Sequence, residues 1–190
     1  HTYFKRYFYP QADRDAIIVD ERFNGGGSVA DYYTDLLRRP HGAYWATRYG
    51  ADFATPTASI QGPKVLLVDE TAGSGGDLFP WMWRKFALGP IVGKRTWGGL
   101  VGTLGFPVLM DGGMVTAPNL AIWTEDGWVV ENEGVPPDIE VEQNPADLID
   151  GKDPQLERAI QIVLEELKKR PPSRPTRPAW RSVPKERGIK

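Results

Sequence analysis

The run Val65-Leu66-Leu67-Val68-Asp69-Glu70-Thr71-Ala72-Gly73-Ser74-Gly75-Gly76-Asp77-Leu78 decides the fold. Its first four residues are continuously apolar and read as a buried strand. Leu78, Met82 and Phe86 then recur at a four-residue spacing, with Trp83 beside them, which predicts a helix. Ser74 therefore falls on a strand-to-helix turn, just ahead of a helix N-terminus. Free backbone N–H groups and the positive end of the macrodipole meet there. A hydroxyl so placed can act as a nucleophile whose oxyanion finds donors already in position. Serine is also a common helix cap and glycine is common in turns, so the stretch alone leaves both readings open. Residue 72 is alanine, so the Gly-x-Ser-x-Gly elbow of the α/β-hydrolases is not matched.

The same unit occurs earlier in the chain. Ala16-Ile17-Ile18-Val19 predicts a second buried strand, its continuous apolar character suiting a strand covered on both faces. The turn Glu21-Arg22-Phe23-Asn24-Gly25-Gly26-Gly27 follows. Tyr32, Tyr33, Leu36 and Leu37 then predict a helix with Ser28 as its cap, ended by Arg39-Pro40. Two strand–turn–helix units, over 16–37 and 65–88, predict a parallel α/β core. Turns at the carboxyl ends of neighbouring parallel strands can face one site. A nucleotide-binding reading of Asn24 to Gly27 is weak, because neither Gly-x-Gly-x-x-Gly with its helix nor Gly-Lys-Ser/Thr is present.

The remaining segments frame that core. Residues 2–13 carry Tyr3, Phe4, Tyr7 and Phe8 and predict a short helix or strand entering it. Residues 40–63, with Pro40, Gly42, Gly50, Pro56, Gly62 and Pro63, predict an irregular loop of a length that is usually functional or mobile. Ile91-Val92-Gly93 predicts a third parallel strand. Phe106 to Met110, the Asp111-Gly112-Gly113 turn and Met114 to Thr116 suggest a hairpin. Leu120 to Trp123 and Trp128 to Val130 suggest further strands, before a polar turn at 131–138. Asp153 caps a predicted helix with Pro154 at its first position and an apolar stripe of Leu156, Ile160, Val163, Leu164 and Leu167. From Pro171 onward the chain is rich in Pro and Arg, without periodicity, and is expected to have no fixed structure alone.

Composition bounds the rest. With 190 residues, 41% hydrophobic and 25% charged, the chain fits one ordinary globular domain. A net charge of -2 offers no global attraction for nucleic acid or an anionic membrane. There is no cysteine, hence no disulfide and no thiolate metal site, which fits a reducing compartment. The two histidines, His1 and His41, are too few for a His-based metal cluster, and no metal or cofactor is expected. No run reaches the length of a membrane span, and the N-terminus lacks a signal-peptide pattern. The chain starts with His and runs straight into an aromatic segment, so it is expected to be part of a longer protein.

Several motifs, in order, carry a resemblance. Val19-Asp20-Glu21-Arg22-Phe23-Asn24-Gly25-Gly26-Gly27 resembles the Asp-x-Arg-x-Asn-x-Gly-Gly segment of the S41 serine peptidases, and Ala72-Gly73-Ser74-Gly75-Gly76-Asp77 resembles their nucleophile turn. Gly93-Lys94-Arg95-Thr96-Trp97-Gly98-Gly99, Glu131 to Asp138 and Gly151 to Leu156 follow in the family's order and spacing. The resemblance covers roughly residues 3–170. It implies a crotonase-like (ClpP/crotonase-type) α/β core with a mostly parallel sheet flanked by helices. By the same token, residues 1–170 form a catalytic subdomain and 171–190 a Pro/Arg-rich tail.

The resemblance implies Ser74 as nucleophile, Gly75 and Gly27 (Gly26 if the register slips by one) as oxyanion-hole donors, and Gly26 in substrate binding. It implies Glu131 as the acidic residue that orients a His through an intermediate Ser. In the branch that fits best, that His and Ser lie on an earlier subdomain, beyond a PDZ domain, and β-propeller domains also precede. Neither His1 nor His41 lies in a matching motif, so this chain carries about half of an active site. A sister branch uses a Ser/Lys dyad; here the corresponding residue is Gly99, and Arg95 nearby is too basic to serve as a general base. An Asp that favours basic residues at the cleavage site in that best-fitting branch aligns with Trp45, which implies an apolar preference if Trp45 binds substrate; packing under the long loop is its other reading. Asp35 and Asp52 flank this region and could restore a negative pocket. The implied activity is cleavage of short peptides, such as proteasome products, by a cytoplasmic homo-oligomer, hexameric by resemblance. A non-catalytic assembly or peptide-binding module, or a crotonase-type acyl-CoA enzyme that would not need Ser74, are the alternatives.

Overall fold

The computed structural model describes residues 2–180. Helix α1 (Thr2–Phe8) runs into a 3₁₀ turn (Tyr9–Gln11), followed by β1 (Ile17–Asp20) and α2 (Ala30–Leu37). A hairpin of β2 (Ala43–Trp45) and β3 (Phe53–Thr55) precedes β4 (Lys64–Val68), α3 (Gly75–Lys85) and β5 (Ile91–Gly93). Short strands follow: β6 (Val101–Gly102), β7 (Leu120–Ala121), β8 (Trp123–Thr124), β9 (Gly127–Trp128) and β10 (Ile139–Glu140). Helices α4 (Pro145–Ile149) and α5 (Pro154–Lys169) complete the order.

The central sheet has four strands in the order β1-β4-β5-β10, every pair parallel. Its alternation explains why β4 has no polar face. Val65 and Leu67 point to one side, against Ala159, Ile162 and Val163 of α5. Leu66 and Val68 point to the other, against Leu36 and Leu37 of α2 and Phe79 and Trp83 of α3. A strand covered on both faces must be apolar at every position. Helix α1 closes the second layer through stacked rings, Phe4 on Tyr33 at 4.3 Å and on Phe8 at 4.8 Å between centroids. Both glycine turns thus emerge at the carboxyl ends of adjacent strands, as the two repeated units predict.

Differences from the sequence expectation have local causes. Residues 40–63 are not wholly irregular: β2 and β3 pair antiparallel, Trp45 opposite Phe53. The cap of α2 is Val29 without a side-chain hydrogen bond, one residue beyond Ser28. Residues 106–116 form only a turn, Leu109 and Gly113 being joined by an N–H to carbonyl bond of 2.8 Å, with no flanking strands. The segments around Leu120 and Trp128 pair in two-stranded ribbons, β6 with β7 and β8 with β9, outside the main sheet. On α5 the buried residues are Gln155, Ala159, Ile162 and Val163, while Ile160 and Leu164 face outward. Asp153 does cap α5, accepting from the Leu156 N–H at 3.0 Å.

The tail is tethered as far as it is described. Arg174 pairs with Asp15 at 2.8 Å and Arg177 with Asp52 at 3.0 Å, in otherwise irregular chain. The rest of the 171–190 expectation, and His1, lie outside the described residues. Among the described residues no helix is long and apolar enough to cross a membrane.

Candidate active site

Ser74 sits where β4 turns into α3, at the N-cap position of the helix. Its hydroxyl makes no capping bond, which removes the ordinary-cap reading of the residue. The backbone is at φ 55°, ψ -113°, a conformation rare for a residue with a side chain. Strain of this kind costs on the order of 1–3 kcal/mol and persists only where the surroundings enforce it. Here they do. Ser74 N–H donates to the Gly99 carbonyl at 3.1 Å, and the Ser74 carbonyl accepts from Asp77 and Leu78 at 3.0 and 2.9 Å. The Ala72 carbonyl, two residues before, accepts from Trp97 N–H at 2.8 Å.

The first glycine turn is pressed against this one. Gly73 N–H donates to the Asn24 carbonyl at 3.0 Å, and Gly26 N–H donates to Asn24 Oδ1 at 2.9 Å. A methyl group built on Gly75 would stand 2.1 Å from the Gly27 carbonyl oxygen and 2.8 Å from its nitrogen. One built on Gly26 would stand 2.8 Å from Ser74 Cβ. Only glycines let the two turns approach so closely, and Gly26 and Gly27 also use positive φ, 120° and 127°. The N–H groups of Gly75 and Gly27 have no hydrogen-bond partner among the described residues. Two unpaired amides beside a strained serine are the donor set an oxyanion needs.

Gly98 and Gly99 bracket the turn from the other side. Their N–H groups donate to the buried Asp77 carboxylate at 2.8 and 3.1 Å, and the Gly98 carbonyl accepts from Asn132 N–H at 2.8 Å. Through this bracket the nucleophile turn reaches Glu131. Glu131 Oε2 is buried and has no hydrogen-bond partner among the described residues. A buried carboxylate oxygen without a donor is costly, so it marks a place where a partner group belongs.

The structure therefore gathers Ser74, Gly75, Gly26 and Gly27, and links them to Glu131 through Gly98 and Gly99. Trp45 stands apart. It lies exposed on the β2–β3 hairpin, stacked on Phe53 at 6.5 Å, with no hydrogen bond or ring contact to the others. Of the two flanking carboxylates, Asp52 is taken by Arg177, and Asp35 is exposed on α2. Arg95 is exposed and bonded to the Glu133 carbonyl at 3.0 Å. Among the described residues no group of three or more His, Cys, Asp or Glu side chains is placed to hold a metal ion.

Four supporting residues were not singled out from the sequence. Asp77 ties Gly98 and Gly99 to α3. Asp69 accepts from the N–H groups of Phe23, Thr71 and Ala72 at 3.1, 3.2 and 3.0 Å and so shapes both turns. Arg22 bridges Asp20 at 2.7 Å and Asp153 at 2.9 Å, joining the first glycine turn to α5. The Asp20 hydrogen bond first, and Asp153 beside it, raise the Arg22 pKa further above its already high value. Glu21 is buried, and its Oε1 accepts from Asn24 Nδ2 at 2.6 Å. Asp77, Asp69 and Arg22 each reach at least one partner far away in sequence, at Gly98, Phe23 and Asp153, which leaves no local spacing signal, whereas Glu21 holds Asn24 three residues on.

This arrangement stands at the carboxyl ends of two adjacent parallel strands, and the sequence comparison names the family. Residues 4–141 match the family described as Peptidase family S41, and the chain belongs to that family. Among individual relatives, the tricorn protease of Thermoplasma acidophilum is 41% identical over 93% of this chain and 16% of its own length. The tricorn protease of Thermoplasma volcanium is 41% identical over 87% of this chain and 16% of its own. A crystal structure of the tricorn protease superposes with a TM-score of 0.83 at 42% identity, covering 87% of this chain and 16% of that one. The chain thus spans about one sixth of the length of the relatives it matches.

Proposed function

We propose that this chain supplies the nucleophile, the oxyanion hole and the acidic residue of a serine peptidase that cleaves short peptides, such as proteasome products. The observation that carries the reading is Ser74, held at positive φ with an uncommitted hydroxyl beside the free amides of Gly75 and Gly27. Ser74 Oγ attacks the scissile carbonyl, and its proton passes to a His. The carbonyl oxygen, now negative, accepts from Gly75 and Gly27 N–H. The amine leaves with the proton, and water releases the acyl group from Ser74. Membership of the S41 family supports this chemistry.

The orphaned Oε2 supports the division of the site between segments. In this reading Glu131 orients the His through a Ser, and both arrive from an upstream subdomain, preceded by PDZ and β-propeller domains as the length of the relatives allows. Residues 1–170 then form the catalytic subdomain, on a sheet of ClpP/crotonase type, and 171–190 a tail. The working enzyme is a cytoplasmic homo-oligomer, a hexamer by resemblance to the tricorn branch.

A fluorophosphonate tests the reading directly. It should label Ser74 in the active enzyme, and residues 1–190 alone should show no robust peptide turnover. Removing one member of a catalytic triad leaves only about 10³–10⁴ over the rate in water. Labelling elsewhere in active enzyme, or robust turnover by the chain alone, overturns it.

Substrate preference follows from Trp45 in the same reading. With Asp52 neutralised by Arg177, an apolar or aromatic residue at the scissile position gains by burial at roughly 25 cal/mol per Å². A buried Lys or Arg loses Asp52 as a partner and has only Asp35 on α2 left to pair with. The kcat/KM for peptides varied only at that residue should rank apolar above basic. A preference for Arg or Lys removes Trp45 from the site and leaves Ser74 untouched.

A further inference from the structure

Between β1 and the glycine turn lies a buried acid that the proposed chemistry does not use. Glu21 is 6% exposed, at the carboxyl end of the strand, and its own N–H is fixed to the Leu67 carbonyl at 3.0 Å. Its Oε1 holds Asn24 Nδ2 at 2.6 Å. Asn24 is the hub of the two-turn contact. Its Oδ1 holds Gly26 N–H at 2.9 Å, its carbonyl holds Gly73 N–H at 3.0 Å, and its N–H returns to the Glu21 carbonyl at 3.2 Å. The Asn24 carbonyl also abuts Gly76, where a methyl group would stand 2.2 Å away. One carboxyl group therefore orients the side-chain amide that sets Gly26, and through the chain next to it Gly27, against Ser74.

Beyond the single Asn24 hydrogen bond, the groups around Glu21 offer its negative form no cation. Asp20, the last residue of β1, repels it. Arg22, the nearest cation in sequence, turns its guanidinium to Asp20, Asp153 and Gln155. Across from it Tyr33 on α2 brings a phenol, raised by burial and then by the Glu21 charge. Asp69, from the β4 turn, is engaged by Phe23, Thr71 and Ala72. Burial pushes the Glu21 carboxyl up to about 8; the Asn24 bond lowers it and Asp20 raises it.

We propose that Glu21 is the positioning residue of the oxyanion loop: protonated, it locks Asn24 and the Gly26–Gly27 amides beside Ser74, and on ionising it releases them. The charged form must reach water, and the loop that buries it has to open to provide that. This rests on the peptidase reading of Ser74. The loss falls on kcat rather than KM, because the Gly27 donor acts on the oxyanion and not on the resting substrate.

Sign and window follow from the acid. A carboxyl held at about 8 in the fold against 4.5 outside it contributes stability that is complete below 4.5 and lost as pH rises through about 8. Wild-type thermal stability should decline across that interval, and Glu21→Gln, which keeps an acceptor for Asn24 but cannot ionise, should not follow it. In the active enzyme, kcat and the rate of fluorophosphonate labelling should fall by about tenfold per pH unit above about 8 in wild type. Glu21→Gln should keep both flat over the same range. An alkaline limb shared by wild type and Glu21→Gln overturns the proposal.

A measurement on unsubstituted protein guards against a variant that does not fold. Carbon-13 NMR of the Glu21 carboxyl and nitrogen-15 NMR of the Gly26 and Gly27 amides should titrate with one common midpoint. Amides indifferent to the ionisation of Glu21 overturn the proposal. If Ser74 takes no label at any pH, the peptidase reading fails by itself, and the amide titration still decides the role of Glu21.

Discussion

Ser74→Ala is expected to lower kcat of the active enzyme by on the order of 10⁶-fold, the loss seen when a serine peptidase is deprived of its nucleophile. The residue has no second task that could blur the result. Its hydroxyl caps nothing, and the hydrogen bonds that hold the turn use its backbone. Alanine keeps that backbone and its Cβ, so the fold and peptide binding should survive. Ser74→Gly separates chemistry from strain. It removes the same nucleophile but suits φ 55° without cost. It should stabilise the protein by about 1 kcal/mol, the relief of strain less the added freedom of the unfolded chain. An active-site titration and a thermal melt read the two effects. A Ser74→Ala enzyme with undiminished turnover would place the nucleophile elsewhere.

Gly75→Ala attacks the other half of the site. Its methyl group would fall 2.1 Å from the Gly27 carbonyl oxygen and 2.8 Å from the Gly27 nitrogen, both backbone atoms that cannot rotate aside. The two turns must separate, and the pair of free amides loses its common focus. Loss of one oxyanion donor costs about 10²–10³ in kcat. Since this change disturbs both donors, the expected drop is at least of that order, with KM little altered. Gly25→Ala is the matched control. It sits on the same loop, has open space where its methyl group would go, and should behave like wild type. Steady-state kinetics of the pair decide the matter: equal kcat values for the two variants would remove the Gly75–Gly27 contact from the mechanism.

The parallel core was legible because its strands advertise themselves. Val65 to Val68 have no polar member, and only a doubly covered strand tolerates that. Strand β10 was missed, since Ile139–Glu140 is two residues long and follows two prolines, leaving nothing for a period of two to act on. Of the α5 stripe, Leu156, Val163 and Leu167 pack against the core while Ile160 and Leu164 face outward. The buried Gln155 carries no apolar signal, its side-chain amide donating to the Val141 carbonyl at 2.9 Å. At the site, the glycines and Ser74 announced a turn, and the stretch alone left both cap and nucleophile open. The missing capping bond tells against a plain cap. Asp77 and Asp69 carry no signal in the sequence, because the Gly98 and Phe23 amides they hold are brought near only by folding.

The Arg22 fork has a consequence for how such a chain is made. Its partner Asp153 lies 131 positions later. A chain under synthesis from its amino end can form β1, the first glycine turn, β4 and the Ser74 turn long before the start of α5 exists. Throughout that interval the guanidinium holds only Asp20, and the loop carrying Gly26 and Gly27 lacks its far anchor. The far anchor of the first glycine turn is therefore in place only once the start of α5 has been made, so the two turns are brought into their final register later than either is formed.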